Sequence, residues 1–302
     1  MPELPDVEVY IERLGEKFVG HTLTGVRIAN PFLLRSVEPR PDAAVGHVLK
    51  SLRRLGKRLV FEWDNDIFWV LHLMIAGRLK LAKAGAPVPG KLGLAAFDFV
   101  DATVILTEAG SKRRASLTIV SGLDAAMAFD PGGVEPLEID LPTFSAVLKR
   151  HNHTLKRALT DPHILSGIGN AYSDEMLWEA QLSPVTWTTR LFPEDMARLY
   201  AAMRSTLLTW TERLRKEAIA SKDGFPAKVT AFREDMAVHG RFGKPCPRCG
   251  KVVMRIRYAD NETNYCPTCQ TGGKLLADRG LSRLLKGDWP KTVDELEARK
   301  KV

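Results

Sequence analysis

All four cysteines of this 302-residue chain fall between positions 246 and 269, as Cys246-Pro247-Arg248-Cys249 and Cys266-Pro267-Thr268-Cys269. Thiolates at two such C-x-x-C knuckles suit one tetrahedral zinc ion and leave no coordination position open to a substrate. The spacing therefore predicts a structural zinc ribbon, a hairpin too small to have a core of its own. In zinc-finger peptides such a site contributes roughly 10–16 kcal/mol of folding free energy. The same distribution excludes a disulfide framework spread through the body of the chain and agrees with a reducing compartment. Redox use of the cysteines is the competing reading.

Charge concentrates in the same region. The net charge is +8, and residues 241–302 hold 14 Lys/Arg against 7 Asp/Glu, which is +7 of that total. A concentrated basic region points to a polyanion, most simply nucleic acid. A zinc ribbon can also be a protein-docking module. Here it carries Arg241, Lys244, Arg248, Lys251, Arg255 and Arg257, which favours phosphate. Apolar residues make up 45% of the chain, enough for real cores. No apolar run approaches the roughly 20 residues that span a bilayer, and no basic-then-apolar signal opens the chain. The expectation is a cytoplasmic protein with no membrane partner.

Hydrophobic periodicity divides the remainder. A helix over roughly 6–18 leads into short β-branched and aromatic runs at His21–Ala29, Arg58–Trp63, Ile67–Leu73, Ala95–Val100, Thr103–Thr107 and Ala115–Val120. Strands at that spacing suggest a sandwich or flattened barrel. Asp130–Pro136 reads as a hinge, and from Pro142 the period becomes helical: Phe144–His151, Thr154–Leu159, Ser173–Ala180 and Glu194–Lys216. In the last of these, Met196, Leu199, Tyr200, Met203, Leu207 and Trp210 form a core-facing stripe. The expected fold is a multidomain α and β protein. Its parts are an N-terminal β domain over 1–130, a hinge over 131–142, a helical domain over 143–240, the ribbon over 241–270 and a basic tail over 271–302. Leu281, Leu284, Leu285 and Trp289 give that tail one helix.

Two local patterns carry chemistry. Gly167-Ile168-Gly169-Asn170 precedes a helix, where backbone amides and the helix dipole favour a phosphate and Asn170 can add its amide hydrogens. Alternatively, Asn170 only caps the helix. At the N-terminus, Met1-Pro2-Glu3-Leu4-Pro5 admits two readings as well. Pro2 and Pro5 can be helix-entry residues, with acids stabilising the first turn. Or removal of Met1 leaves the secondary amine of Pro2 as a nucleophile near its titration point, with Glu3 beside it to move protons.

P-E-L-P-D-V-E at the start, Arg53-Arg54-Leu55-Gly56-Lys57, G-I-G-N-A-Y at 167–172 and H-G-R-F-G-K-P-C-P-R-C at 239–249 occur in this order. Together they resemble the formamidopyrimidine-DNA glycosylase/endonuclease VIII family from Pro2 to about Gln270. The resemblance implies a β-sandwich with a leading helix, a helix–two-turns–helix domain and a C-terminal zinc ribbon holding one structural zinc ion, with DNA in the cleft between domains. The expected partner is damaged duplex DNA, with single-stranded or distorted DNA admitted by an altered reading loop, and the expected state is a monomer. Pro2 would attack C1′ of a flipped-out nucleotide, Glu3 would protonate the sugar ring oxygen, and β/δ-elimination would cut the strand. Lys57 and Asn170 match phosphate-binding positions, and Glu8 matches an acid with a supporting role.

Three departures qualify that match. His72-Leu73-Met74-Ile75-Ala76-Gly77 stands where members have H-L-G-M-S-G, so the wedging methionine becomes Ile75, or Met74 in a shifted loop. Arg113-Arg114-Ala115-Ser116 stands for R-R-F-G, which keeps Arg113 as a DNA contact and loses the aromatic wedge. Asn261 stands where an arginine clamps the phosphates beside the lesion; Arg255 or Arg257 is the candidate substitute, at a different spacing. The reading is thus a bifunctional DNA glycosylase/AP lyase for oxidised bases, not strictly an 8-oxoguanine enzyme. The alternative is a non-catalytic binder of damaged or branched DNA with the same fold.

Overall fold

A computed structural model describes residues 1–109, 112–226, 233–258, 261–277 and 290–299. The expected tail residues Leu281, Leu284, Leu285 and Trp289 lie outside the described residues. The chain divides into two compact units. One unites Met1–Gly133 with the chain from Leu208, and the other unites Val134–Leu207 with the C-terminal part.

The first unit opens with helix α1 (Leu4–Phe18), whose first turn holds Pro5 and Asp6. Eight antiparallel strands follow: β1 (Leu23–Ile28), β2 (Leu49–Leu55), β3 (Arg58–Trp63), β4 (Ile67–His72), β5 (Gly77–Lys83), β6 (Gly93–Phe99), β7 (Ala102–Glu108) and β8 (Ser116–Ser121). They form two four-stranded sheets, ordered β1-β6-β7-β5 and β2-β3-β4-β8. The β-sandwich core is aromatic. Trp63 meets Trp69 edge-on at 4.9 Å, Trp69 meets Phe97 at 5.1 Å, and Phe18 stacks on Phe99 at 4.1 Å. Helix α1 sends Val7, Tyr10, Leu14 and Phe18, the face expected of a 3.6-residue period, into this core. Full burial of each such side chain contributes roughly 1.5–3 kcal/mol. The short helix α2 (Leu123–Met127) puts Ala126 in a second cluster with Leu55, Val60, Phe68 and Val70.

The second unit contains α3 (Leu141–Lys149), α4 (Leu155–Thr160), α5 (Asn170–Glu179) and the first half of α6 (Pro193–Ala220). The second half of α6 belongs to the first unit, where Leu214 and Ala218 pack on Val9 and Arg215 pairs with Glu12 at 2.6 Å. The zinc-ribbon hairpin is β9 (Met254–Tyr258) with β10 (Asn261–Tyr265), followed by α7 (Pro267–Thr271) and α8 (Val293–Arg299). Among the described residues, no helix is long and apolar enough to cross a membrane.

Candidate nucleic-acid site and zinc ribbon

The N-terminus of the first unit is a partly buried charged cluster. Pro2 and Glu3 are buried just before α1. Glu3 donates its backbone N–H to Asp6 Oδ2 at 2.8 Å, so the helix-entry reading of this segment is realised. That does not displace the chemical reading. The chain's amine, here on Met1, is held below its ordinary proton affinity by burial first. The Glu3 and Asp6 carboxylates oppose that shift, while the Arg78 and Lys57 cations reinforce it. The fold therefore gathers an amine, two acids and two cations around one point. The sequence pattern marks Asp6 only as a first-turn acid and does not single out Arg78. Asp6 is wholly buried and its affinity is pushed up to about 7, because burial disfavours its charged form more than the Glu3 amide and the nearby cations stabilise it.

Lys57 sits in the two-residue turn between Leu55 and Arg58, which pair as the last rung of the β2–β3 hairpin. Gly56 takes the positive φ of +62° that such a turn demands. Arg54 Nη1 donates to Gly56 O at 3.1 Å while its Nε donates to Glu8 on α1. Glu8 thus ties α1 to the turn that carries Lys57. His72, opposite Arg58 at the end of β4, was not anticipated. Burial and the cations Arg58 and Lys57 lower its affinity to about 4, so it is a neutral imidazole near neutral pH.

Ile75 lies in the loop from Leu73 to Gly77 and is 57% exposed. Met74 takes φ +53° there. Gly77 closes the loop by donating its N–H to Leu73 O at 2.9 Å, and an added Cβ at Gly77 would lie 2.2 Å from that oxygen. Arg113 is exposed and donates to the carbonyl of Lys91. Ala115 is buried, because the buried Glu108 carboxylate accepts the backbone N–H groups of Arg114 and Ala115, each at 3.0 Å. Position 115 is therefore an anchored foot of the segment. Nothing in the sequence pattern singled out Glu108.

In the second unit, α5 begins at Asn170 with Gly169 as its N-cap, and Gly167 takes φ +76°. Asn170 does not cap the helix with its side chain. Its Nδ2 donates to Glu262 O on β10 at 2.7 Å, across 92 residues of sequence. An amide nitrogen carries two hydrogens, so this bond fixes the direction of the second. Beneath it lies Asp174, buried completely. Burial would raise its affinity, but Lys156 and His239 hold it below the usual carboxylate range. The next residue, Glu175, accepts the backbone N–H groups of Ala237, Val238 and His239, which fastens the approach to the ribbon.

The sulfur ligand atoms of Cys246, Cys249, Cys266 and Cys269 lie within 4.8 Å of one another, with no disulfide among them. Four converging thiols on two knuckles fit tetrahedral zinc. Trp178 on α5 donates its indole N–H to Cys246 Sγ at 3.3 Å, and the Arg248 guanidinium lies 4.0 Å over the same indole. On the hairpin, Arg257 pairs in register with Glu262, and Arg255 with Asn264. Arg257 is 63% exposed with Nε 3.9 Å from Glu262. Arg255 stands 4.2 Å over the Phe242 ring. Asn261 opens β10 opposite Tyr258.

A β-sandwich with a buried terminal amine, a glycine turn feeding a buried helix and a basic four-thiol ribbon define a zinc-containing protein of the DNA-glycosylase class. Residues 1–112 match the formamidopyrimidine-DNA glycosylase N-terminal domain, 133–221 its H2TH domain and 243–272 the zinc finger found in FPG and IleRS. The formamidopyrimidine-DNA glycosylase of Pelotomaculum thermopropionicum is 32% identical over 279 residues, covering 89% of this chain and 99% of that protein. An uncharacterized formamidopyrimidine-DNA glycosylase-like protein of Mycobacterium tuberculosis is 39% identical over 154 residues, 51% of this chain and 94% of its own. Lactococcus lactis Fpg in complex with abasic-site DNA superposes with a TM-score of 0.78 at 25% identity, over 89% of this chain and 99% of that one. The chain belongs to the formamidopyrimidine-DNA glycosylase family.

Proposed function

We propose that this chain is a bifunctional DNA glycosylase/AP lyase that excises oxidised bases through the amine of Pro2, exposed when Met1 is removed. Pro2 nitrogen attacks C1′ of the damaged nucleotide as the base departs, and Glu3 protonates the ring oxygen so that the sugar opens to an iminium. Loss of a C2′ proton then expels the 3′ phosphate, and a second elimination expels the 5′ phosphate. One observation carries this reading: the chain terminus lies where Glu3, Asp6, Lys57 and Arg78 act on it and burial lowers its proton affinity. Its amine is here on Met1, one residue before Pro2, and an amine on Pro2 would enter the same surroundings. A lowered affinity leaves more of the amine uncharged and nucleophilic near neutral pH. A protein that only binds DNA has no use for that arrangement.

In this reading Lys57, Asn170, Arg113 and Arg257 meet the DNA, and Ile75 enters the vacated stack. Zinc holds the ribbon through Cys246, Cys249, Cys266 and Cys269 and takes no part in the reaction. An exposed aliphatic side chain at 75 and a buried alanine at 115 give a weaker wedge than an aromatic one. The substrates are therefore oxidised pyrimidines, ring-opened purines and lesions in DNA already distorted, in the cytoplasm. Borohydride added to the protein and abasic-site DNA tests the reaction. Wild type should give a covalent adduct and Pro2→Gly should lose it. A DNA shift in a gel with no adduct would support the non-catalytic binder.

A further inference from the structure

We propose that Asp174 is a positioning residue for DNA binding, locking α5 to β10 so that Asn170 holds its second amide hydrogen toward a phosphate. This rests on the assignment of Asn170 to a phosphate made above. Asp174 lies four residues after Asn170, on the same face of α5 one turn along. One oxygen of its fully buried carboxylate accepts from Lys156. The other has His239 Nδ1 at 2.8 Å, Asn264 N at 3.1 Å and Asn264 Nδ2 at 3.3 Å.

The Lys156 ammonium has three hydrogens and three acceptors: Asp174, Asn170 O at 2.6 Å and Ser173 Oγ at 2.8 Å. That cation therefore fastens the first turn of α5 from within. On β10, Glu262 O and Asn264 N point to the same side of the strand, because backbone groups two residues apart share an edge. Asn170 takes the first and Asp174 the second, so α5 grips the strand edge at two points one helical turn apart. With the Asn170 amide held this way, ordering it costs little when a phosphate arrives. Without Asp174 the Asn170–Glu262 bond is the one point left of this two-point grip, so β10 can pivot against α5 and carry the direction of the amide with it.

The test uses the full-length zinc-loaded protein and a labelled duplex containing a tetrahydrofuran abasic analogue. Kd is measured for wild type, Asn170→Ala, Asp174→Asn and the double variant. Each single change should weaken binding by about tenfold or more, the value of a hydrogen bond to a charged group. The double variant should bind no worse than Asn170→Ala, since Asp174 acts through Asn170. A residue that only maintained the fold would instead add its loss to that of Asn170→Ala, and additive losses overturn the proposal. So does wild-type affinity in Asp174→Asn beside weakened Asn170→Ala. Wild-type affinity in Asn170→Ala removes the phosphate assignment itself and this proposal with it. If Asp174→Asn leaves Lys156 uncompensated and does not fold, the Lys156→Gln/Asp174→Asn pair removes both charges and enters the same cycle, with zinc content and melting as controls.

Discussion

At Asp6 the folded protein binds a proton more tightly than the unfolded chain does, with an affinity of about 7 against an ordinary 3.8. Between those values the native state carries more protons, so stability is fully present below pH 3.8 and falls as pH rises toward 7. Each unit of such a difference is worth about 1.4 kcal/mol. Asp6→Asn removes the titration while leaving an amide that can still accept from Glu3. His72 titrates in the opposite sense over part of this window, so the readout is the difference. From pH 4.5 to 8 the melting temperature of wild type should fall relative to that of the variant, and parallel curves would show that Asp6 does not titrate in this range. The sequence pattern reveals Asp6 as an acid in the first turn of a helix, and α1 bears that out. Its burial beside the amine is not legible there, because burial is set by tertiary packing, and Arg78, whose charge acts on it, lies far along the chain. Asn170 shows the same limit: a local reading offers a helix cap, and the actual partner, Glu262, is 92 residues away.

Among the elements, the strands with apolar alternation were legible and two edge strands were not. β2 and β5 each end a four-stranded sheet, and they carry Lys50, Arg53 and Arg54, and Arg78, Lys80 and Lys83. Cations on a sheet edge discourage pairing with another chain, and the same cations hide the strand from a hydrophobic pattern. The loop from β4 to β5 depends on glycine for space. Gly77→Ala places a Cβ 2.2 Å from Leu73 O, and that backbone atom cannot yield as a flexible side chain would. The change should destabilise by roughly 1–3 kcal/mol, as overpacking does, and thermal denaturation would measure it; an unchanged melting point would mean the loop is slack. The ribbon offers a second element-scale prediction, since the Trp178 indole supports the Cys246 sulfur from α5. Trp178→Phe keeps the ring and deletes the donor, and partners of metal ligands are typically worth 10–100-fold in metal affinity. Zinc competition with a chromogenic chelator should show about a tenfold loss, and equal affinity would leave the indole a packing role alone.

For the whole molecule, charge and hydrogen-bonding geometry predict different responses to salt. Cations that neutralise phosphates release counterions, so log K falls against log salt with a slope near 0.9 per phosphate contacted on duplex DNA. Asn170 is neutral and releases none, whereas Arg257 is an exposed cation on the ribbon hairpin. Asn170→Ala should therefore lower affinity at every salt concentration without changing the slope. Arg257→Gln should reduce the slope by about 0.9 and lose its effect as salt rises. Glu262 lies opposite Arg257 and shares its charge in the free protein, so Glu262→Gln should strengthen binding, most at low salt. Titrations of the three variants and wild type on one abasic-analogue duplex, between roughly 50 and 200 mM salt, decide the matter. If Arg257→Gln and Asn170→Ala give the same slope as wild type, Arg257 makes no phosphate contact. Neither Asn261 nor Arg257 would then supply a phosphate clamp, and the affinity of this chain for DNA would have to come from other cations, Lys57 and the remaining ribbon residues Arg241, Lys244 and Lys251 among them.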